Sequence, residues 1–289
     1  MSQQLSRRGF LAGAAGVAGA LSVGNLSAAD KEAPVPTIPG TDIPLVDFHV
    51  HRDNTTLEKL LEISAAKATK FGIVEHAGNK ELKYPIIYSN DEELKAYITS
   101  LEGKPVYKGI QAEYIDWMKC FSKDVIAQLD YVLSDAMTFR EKDGHYVMLW
   151  KDDQVKIDNA QDFMDRYTDF NVEVIASEPL DIFANPTYLP KAIEKDYDTL
   201  WTDARMRKIV DAAVKYGVAI ELSTSRLPRL AFLKMAKAAG AKFSFGSNIR
   251  GPNVGKLDYA IEMVKELGLK KEDIFTPQPP GKKPIQVRK

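Results

Sequence analysis

From residue 43 onward the chain repeats one unit: a short apolar strand that ends in polar residues, a loop, then an amphipathic helix. Period-2 and apolar runs predict strands over 43–50, 71–76, 109–114, 130–133, 181–184, 218–223 and 242–247, with a further short one over 172–177. Helical periodicity and capping residues predict helices over 57–70, 91–101, 124–129, 159–167, 202–216, 227–239 and 256–267. Asn54, Thr55 and Thr56 cap the first of these, and Gly217, Gly240 and Gly268 follow the last three. Residues 134–158 lack either period and read as a loop insertion. Strict alternation of this kind requires parallel strands joined by right-handed crossovers, and seven or eight such units close more readily into a barrel than into an open sheet. The expected fold is α/β, a distorted (β/α)7 TIM-like barrel over 45–276. With 289 residues, of which 45% are hydrophobic, one core is the expected number.

The flanks read differently. Arg7 and Arg8 precede Phe10 and Leu11, a short run rich in Ala, Gly and Val follows, and Ser27-Ala28-Ala29 stands before Asp30. A positive start, a short apolar stretch and small cleavage residues make 1–29 a secretory signal, and the paired arginines resemble the twin-arginine type read by its export machinery. The apolar run is too short to cross a bilayer well, so cleavage rather than stable membrane insertion is expected, with a periplasmic or secreted mature chain. Residues 30–44 hold four prolines and read as a linker, and 277–289 as a flexible basic tail. The formal charge is −1, which excludes the strongly basic surface of a nucleic-acid binder. The single cysteine, Cys120, cannot form an internal disulfide and sits among apolar neighbours as a structural thiol.

In a parallel barrel, chemistry gathers at the C-terminal ends of the strands. Here those ends carry His49 and His51, His76, Glu113, Asn185, Glu221 and Asn248. His49 and His51 lie two apart on a strand, so regular pleating turns both to one face, where they can meet one metal ion. Asp47 precedes them and could orient an imidazole.

Val46-Asp47-Phe48-His49-Val50-His51 resembles the first motif of the PHP (polymerase and histidinol phosphatase) superfamily. Gly72-Ile73-Val74-Glu75-His76 is similar to the second, Gly109-Ile110-Gln111-Ala112-Glu113 to the third, and Asp130-Tyr131-Val132-Leu133 to the fourth strand. Asp181-Ile182-Phe183-Ala184-Asn185-Pro186 resembles the fifth motif, and the segments around Glu221 and Asn248 match later strands. The series runs in order along the barrel region. The resemblance implies a metal-dependent phosphoesterase with two or three ions, yet several ligand positions differ. Met137 and Asn185 stand where histidines are expected, and Asn248 and Arg250 where Asp and His are expected. The whole chain has four histidines, too few for a full three-metal cage.

What remains implies a reduced site for one or two divalent ions (Zn, Mn or Fe), held by His49, His51 and Glu113 with Asn248 as a neutral ligand. His76 is either a further ligand or a proton-transferring group. Arg250 cannot ligate but can hold an anion with two parallel hydrogen bonds, and Arg52, Asn185 and Glu221 are pocket candidates. The expected function is an exported metal-dependent hydrolase, phosphoesterase-like, acting on a small anionic substrate. The alternative is a catalytically inactive binding protein on the same scaffold.

Overall fold

The computed structural model describes residues 34–288 apart from Asn54 and Lys142. The segment expected to be an export signal, the start of the linker and the Asn54 cap lie outside the described residues. Seven strands, β1 (Val46–Val50), β2 (Lys70–Ile73), β3 (Tyr107–Ala112), β4 (Tyr131–Ser134), β5 (Ile182–Phe183), β6 (Ala219–Ser223) and β7 (Phe243–Gly246), pair in sequence order. Every pair is parallel, from Val46 opposite Lys70 to Ser223 opposite Gly246. The sheet is a nearly closed seven-stranded TIM-like barrel.

The seam between β7 and β1 is stitched without a regular ladder. Asn248 N donates to His49 O at 3.0 Å. The buried Asp47 carboxylate accepts from the backbone N–H of Ser247 at 2.8 Å, of His49 at 3.1 Å and of Gly255 at 3.1 Å. Burial raises the Asp47 pKa, and the bonds from Ser247 and His49 oppose that shift. Asp47 therefore closes the barrel rather than orienting an imidazole ring.

Helices α1 (Leu57–Lys67), α2 (Asp91–Ser100), α3 (Ala160–Ser177), α4 (Asp203–Tyr216) and α5 (Leu230–Ala238) lie between successive strands, and α6 (Asp258–Leu267) follows β7. Their ends follow ordinary capping chemistry. Thr56 accepts from Lys59 N, Asn90 from Glu93 N, and Gly217 ends α4 in the left-handed region at φ 68°. Each helix buries one stripe, such as Ile209, Val210 and Ala213 of α4.

Three segments differ from the sequence-based expectation. Residues 172–177 are the C-terminal part of α3, not a strand, because Phe163, Tyr167, Phe170, Val174 and Ile175 recur at helical spacing and are buried together. The 134–158 insertion contains an antiparallel hairpin, Thr138–Arg140 against Tyr146–Met148. The tail expected to fray is held against the barrel. Ile285 is buried, Lys283 Nζ donates to Ala127 O at 2.8 Å, and the Arg288 guanidinium donates to Ala176 O at 2.7 Å and Ile175 O at 3.1 Å. Arg288 so satisfies the open carbonyls at the end of α3.

Candidate functional site

The register of β1 shifts between Asp47 and Val50, the mark of a bulge. Phe48 packs edge-on against Tyr131 and joins Leu133, Ile182 and Ala219 in one apolar cluster. Past the shift, His49 and His51 turn to the polar end of the barrel. His49 Nδ1 lies 2.7 Å from Glu221 Oε2, and its Nε2 lies 3.0 Å from Gln111 Oε1. His51 Nε2 meets the same Gln111 oxygen at 2.9 Å. The Gln111 amide nitrogen donates to Asp135 Oδ2 at 3.3 Å, and Asn185 Nδ2 donates to that oxygen at 2.8 Å. Burial, and then the nearby Glu113 charge, push the Asp135 carboxyl up to about 6.

These contacts fix tautomers. An ionised Asp135 can only accept, so Gln111 must turn its NH2 toward it and its carbonyl toward the histidines. Both imidazoles then donate from Nε2. Burial disfavours charge on His49, but the Glu221 carboxylate outweighs it and raises the pKa, so both His49 nitrogens are engaged as donors. His51 goes the other way. Burial, and the charges of His76, Arg250 and His49, lower its pKa well below the usual value. A neutral ring that donates from Nε2 keeps its lone pair on Nδ1, and that atom is buried with no hydrogen-bond partner.

His76 follows the same logic. Its Nδ1 lies 2.7 Å from Glu113 Oε1, while Glu113 Oε2 accepts from Tyr84 OH at 2.7 Å and Thr138 Oγ1 at 3.0 Å. With Nδ1 given to Glu113, Nε2 is the ring nitrogen left for a ligand. His51, Asp53 and His76 each offer a ligand atom, and these atoms lie within 4.8 Å of one another. Asp53 Oδ1 and Glu75 Oε2 are also buried without partners. Two imidazoles and a carboxylate gathered this closely, in residues that also carry unpartnered buried acceptors, make a donor set suited to a divalent cation. Two imidazoles and a carboxylate, with Glu113 orienting one ring from behind, suit Zn, Mn or Fe(II).

The residues expected from the sequence are therefore distributed over two linked groups. Glu113 meets His76, not the His49–His51 pair. Gln111, two residues earlier on β3, stands between those two histidines. Arg52 binds the Glu75 Oε1 oxygen through Nε and its own N–H, both at 3.0 Å, and donates to Tyr88 OH at 2.8 Å. Asn185 N donates to Glu221 Oε1 at 3.3 Å, and Asn248 Nδ2 to Asn185 Oδ1 at 3.4 Å. Arg250 points into the site. Its Nη1 donates to Asn248 Oδ1 at 2.5 Å and its Nε to Asp53 Oδ2 at 3.3 Å. His145 sits apart on the exposed hairpin, paired with Asp143.

Asp53, Glu75, Gln111, Asp135 and Tyr84 were not singled out from the sequence. Asp53 had a signal: it continues the His49, His51 spacing by two. Gln111 had none, since a neutral amide does not stand out beside Glu113. The group opens into a cavity of about 550 Å³ whose lining includes Asp53, His76, Gln111, Asp135, Asn185 and Arg250.

A parallel seven-stranded barrel with imidazoles and carboxylates gathered at its polar end defines the class of molecule. A solved structure with this architecture is histidinol phosphate phosphatase from Lactococcus lactis subsp. lactis Il1403, complexed with zinc, L-histidinol and phosphate. The two share 14% sequence identity at a TM-score of 0.53, over 84% of this chain and 98% of that one. The likeness is one of fold. No protein-family profile matches the sequence, and no curated protein matches it.

Proposed function

We propose that this chain is a divalent-metal-dependent hydrolase of small phosphate esters. The carrying observation is the convergence of His51, Asp53 and His76, two of whose acceptor atoms, His51 Nδ1 and Asp53 Oδ1, are buried without partners. The fold shared with a phosphatase solved with zinc and phosphate supports the same reading. A cation held there supplies Lewis acidity and lowers the pKa of a water beside phosphorus.

The rest falls to the chain's own side chains. Arg250, with a fixed charge facing the cavity, binds the phosphate oxygens and compensates charge that grows as water oxygen bonds to phosphorus. As the ester P–O bond breaks, the leaving oxygen needs a proton. Asp135, which lines the cavity with its carboxyl pushed up to about 6, takes the proton that the attacking water gives up and passes it to that oxygen. Glu113 and Tyr84 keep the His76 ring in place.

Metal analysis of the purified chain, with assays of phosphomonoesters and diesters under added Zn, Mn or Fe(II), tests this reading. One bound ion per chain and metal-dependent turnover are expected, with both lost in His51→Ala and His76→Ala. A chain that retains no ion and turns over none of the esters would sink it. That result would favour the second reading, a small-anion binding protein. The neutral Gln111 amide between His49 and His51, together with Asn185 and Asn248, favours that alternative. Export through the twin-arginine machinery to a periplasmic or secreted location is proposed from residues 1–29 alone, and sequencing the mature N-terminus from expressing cells checks it.

A further inference from the structure

We propose that the cavity selects anions that carry a planar aromatic group, which packs on Trp150. Under the hydrolase reading, on which this rests, the preferred substrates are aryl phosphate monoesters. Trp150 is the one indole exposed among the described residues, at 37%, while Trp117 and Trp201 are buried. It lines the cavity that holds the candidate site. The neighbouring backbone is fixed, since Leu149 is buried and its N–H donates to Met137 O at 2.9 Å. The indole is thus presented rather than loose.

Behind it the rings continue inward. Tyr84 lies 6.0 Å from Trp150 at 32°, and His76 lies 3.8 Å from Tyr84 at 22°. Tyr84 cannot swing away, because its hydroxyl is bonded to both Glu113 and Thr138. Met137, Met148 and Pro85 complete an apolar wall, and the cations Lys83, Lys151 and Arg250 line the same cavity. A volume of about 550 Å³ exceeds what phosphate alone would fill. An apolar ring wall beside three cations is matched by an anion joined to a planar apolar body, because stacking on an exposed indole buries both faces at little entropic cost.

The test compares phenyl phosphate with ethyl phosphate on the zinc-loaded chain, in binding and in turnover. Isothermal titration reads both affinities, in the wild type and in the variants that lack the indole. Phenyl phosphate is expected to bind about 10-fold tighter than ethyl phosphate. In Trp150→Ala that ratio falls to about twofold or less, and Trp150→Phe restores most of it. Equal affinities in the wild type, binding of neither ester, or a ratio unmoved by Trp150→Ala overturns the proposal. Phenyl preference in binding without turnover of either ester would overturn the hydrolase reading and leave the aromatic selectivity standing. Turnover without phenyl preference would do the reverse.

Discussion

The amide of Gln111 can accept only at Oε1, and both β1 imidazoles turn Nε2 to that one atom. The side chain therefore does what a bridging carboxylate could not do without a cation: it joins two histidines and still donates to Asp135. Gln111→Glu removes that donor and sets a carboxylate against Asp135. In the metal-free chain this substitution should cost about 1–3 kcal/mol, and zinc held by His51, Asp53 and His76 should leave that cost largely unchanged, since neither of the two carboxylates is among its ligands. Melting temperatures of both proteins with chelator and with zinc check it. An unchanged metal-free melting temperature would show that Gln111 is not the keystone of this network. At this scale the sequence was informative about which residues gather, because His49, His51, His76, Glu113, Asn185, Glu221, Asn248 and Arg250 all stand at C-terminal strand ends or just beyond them. Their pairing was not legible. It depends on the register shift in β1 and on the neutral Gln111, and neither leaves a periodic trace.

Strands β2, β3 and β4 are fitted to one another by two glycines and a tyrosine. The Tyr131 ring lies across Gly109 and Gly72, where an added Cβ would come within 2.3 Å and 2.4 Å of it. Its hydroxyl donates to Phe48 O at 2.7 Å, which ties β4 across the interior to β1 within the shifted register. Gly109→Ala should therefore destabilise by about 2–3 kcal/mol through overpacking. The loss should shrink in a Gly109→Ala/Tyr131→Leu double variant, since the clashing ring is gone, and a double-mutant cycle in urea measures that coupling. Additive losses would mean that the strain lies elsewhere. The alternation of elements was legible because each strand and each helix stripe is apolar on its own period. The hairpin at 138–148 was not, because its short strands carry mixed polarity and gain their burial only by packing on α3, as Phe139 does against Phe163 and Phe170. The strand expected over 172–177 failed for a related reason, since its β-branched residues are overridden by the longer helical spacing that begins at Phe163.

The barrel as a whole has a second buried polar region, next to the docked tail and apart from the candidate site. Burial raises Asp181 and Glu178 to about 7 each, with Lys283 opposing the shift at Asp181 and Arg288 opposing it at both. A carboxyl whose folded pKa lies above its unfolded value favours folding while protonated. Its contribution is complete below about pH 4 and is lost as pH rises through about 7. His51 acts in the opposite sense, because its lowered pKa makes folding less favourable as pH falls below its unfolded value. The net profile mixes both, so the decisive measurement is a difference. Asp181→Asn preserves an acceptor for the Val132 N–H, bonded to Asp181 Oδ2 at 2.9 Å, and removes only the titration. Between pH 5 and pH 8 the wild type should therefore lose more stability, or gain less, than the variant. The variant should be the more stable of the two at pH 8, with a melting temperature higher by several degrees, since each kcal/mol is worth about 2–4 °C in a chain of this size. If the two proteins keep the same separation in melting temperature at both pH values, then Asp181 is ionised in the folded barrel already at pH 5, with Lys283 and Arg288 outweighing its burial.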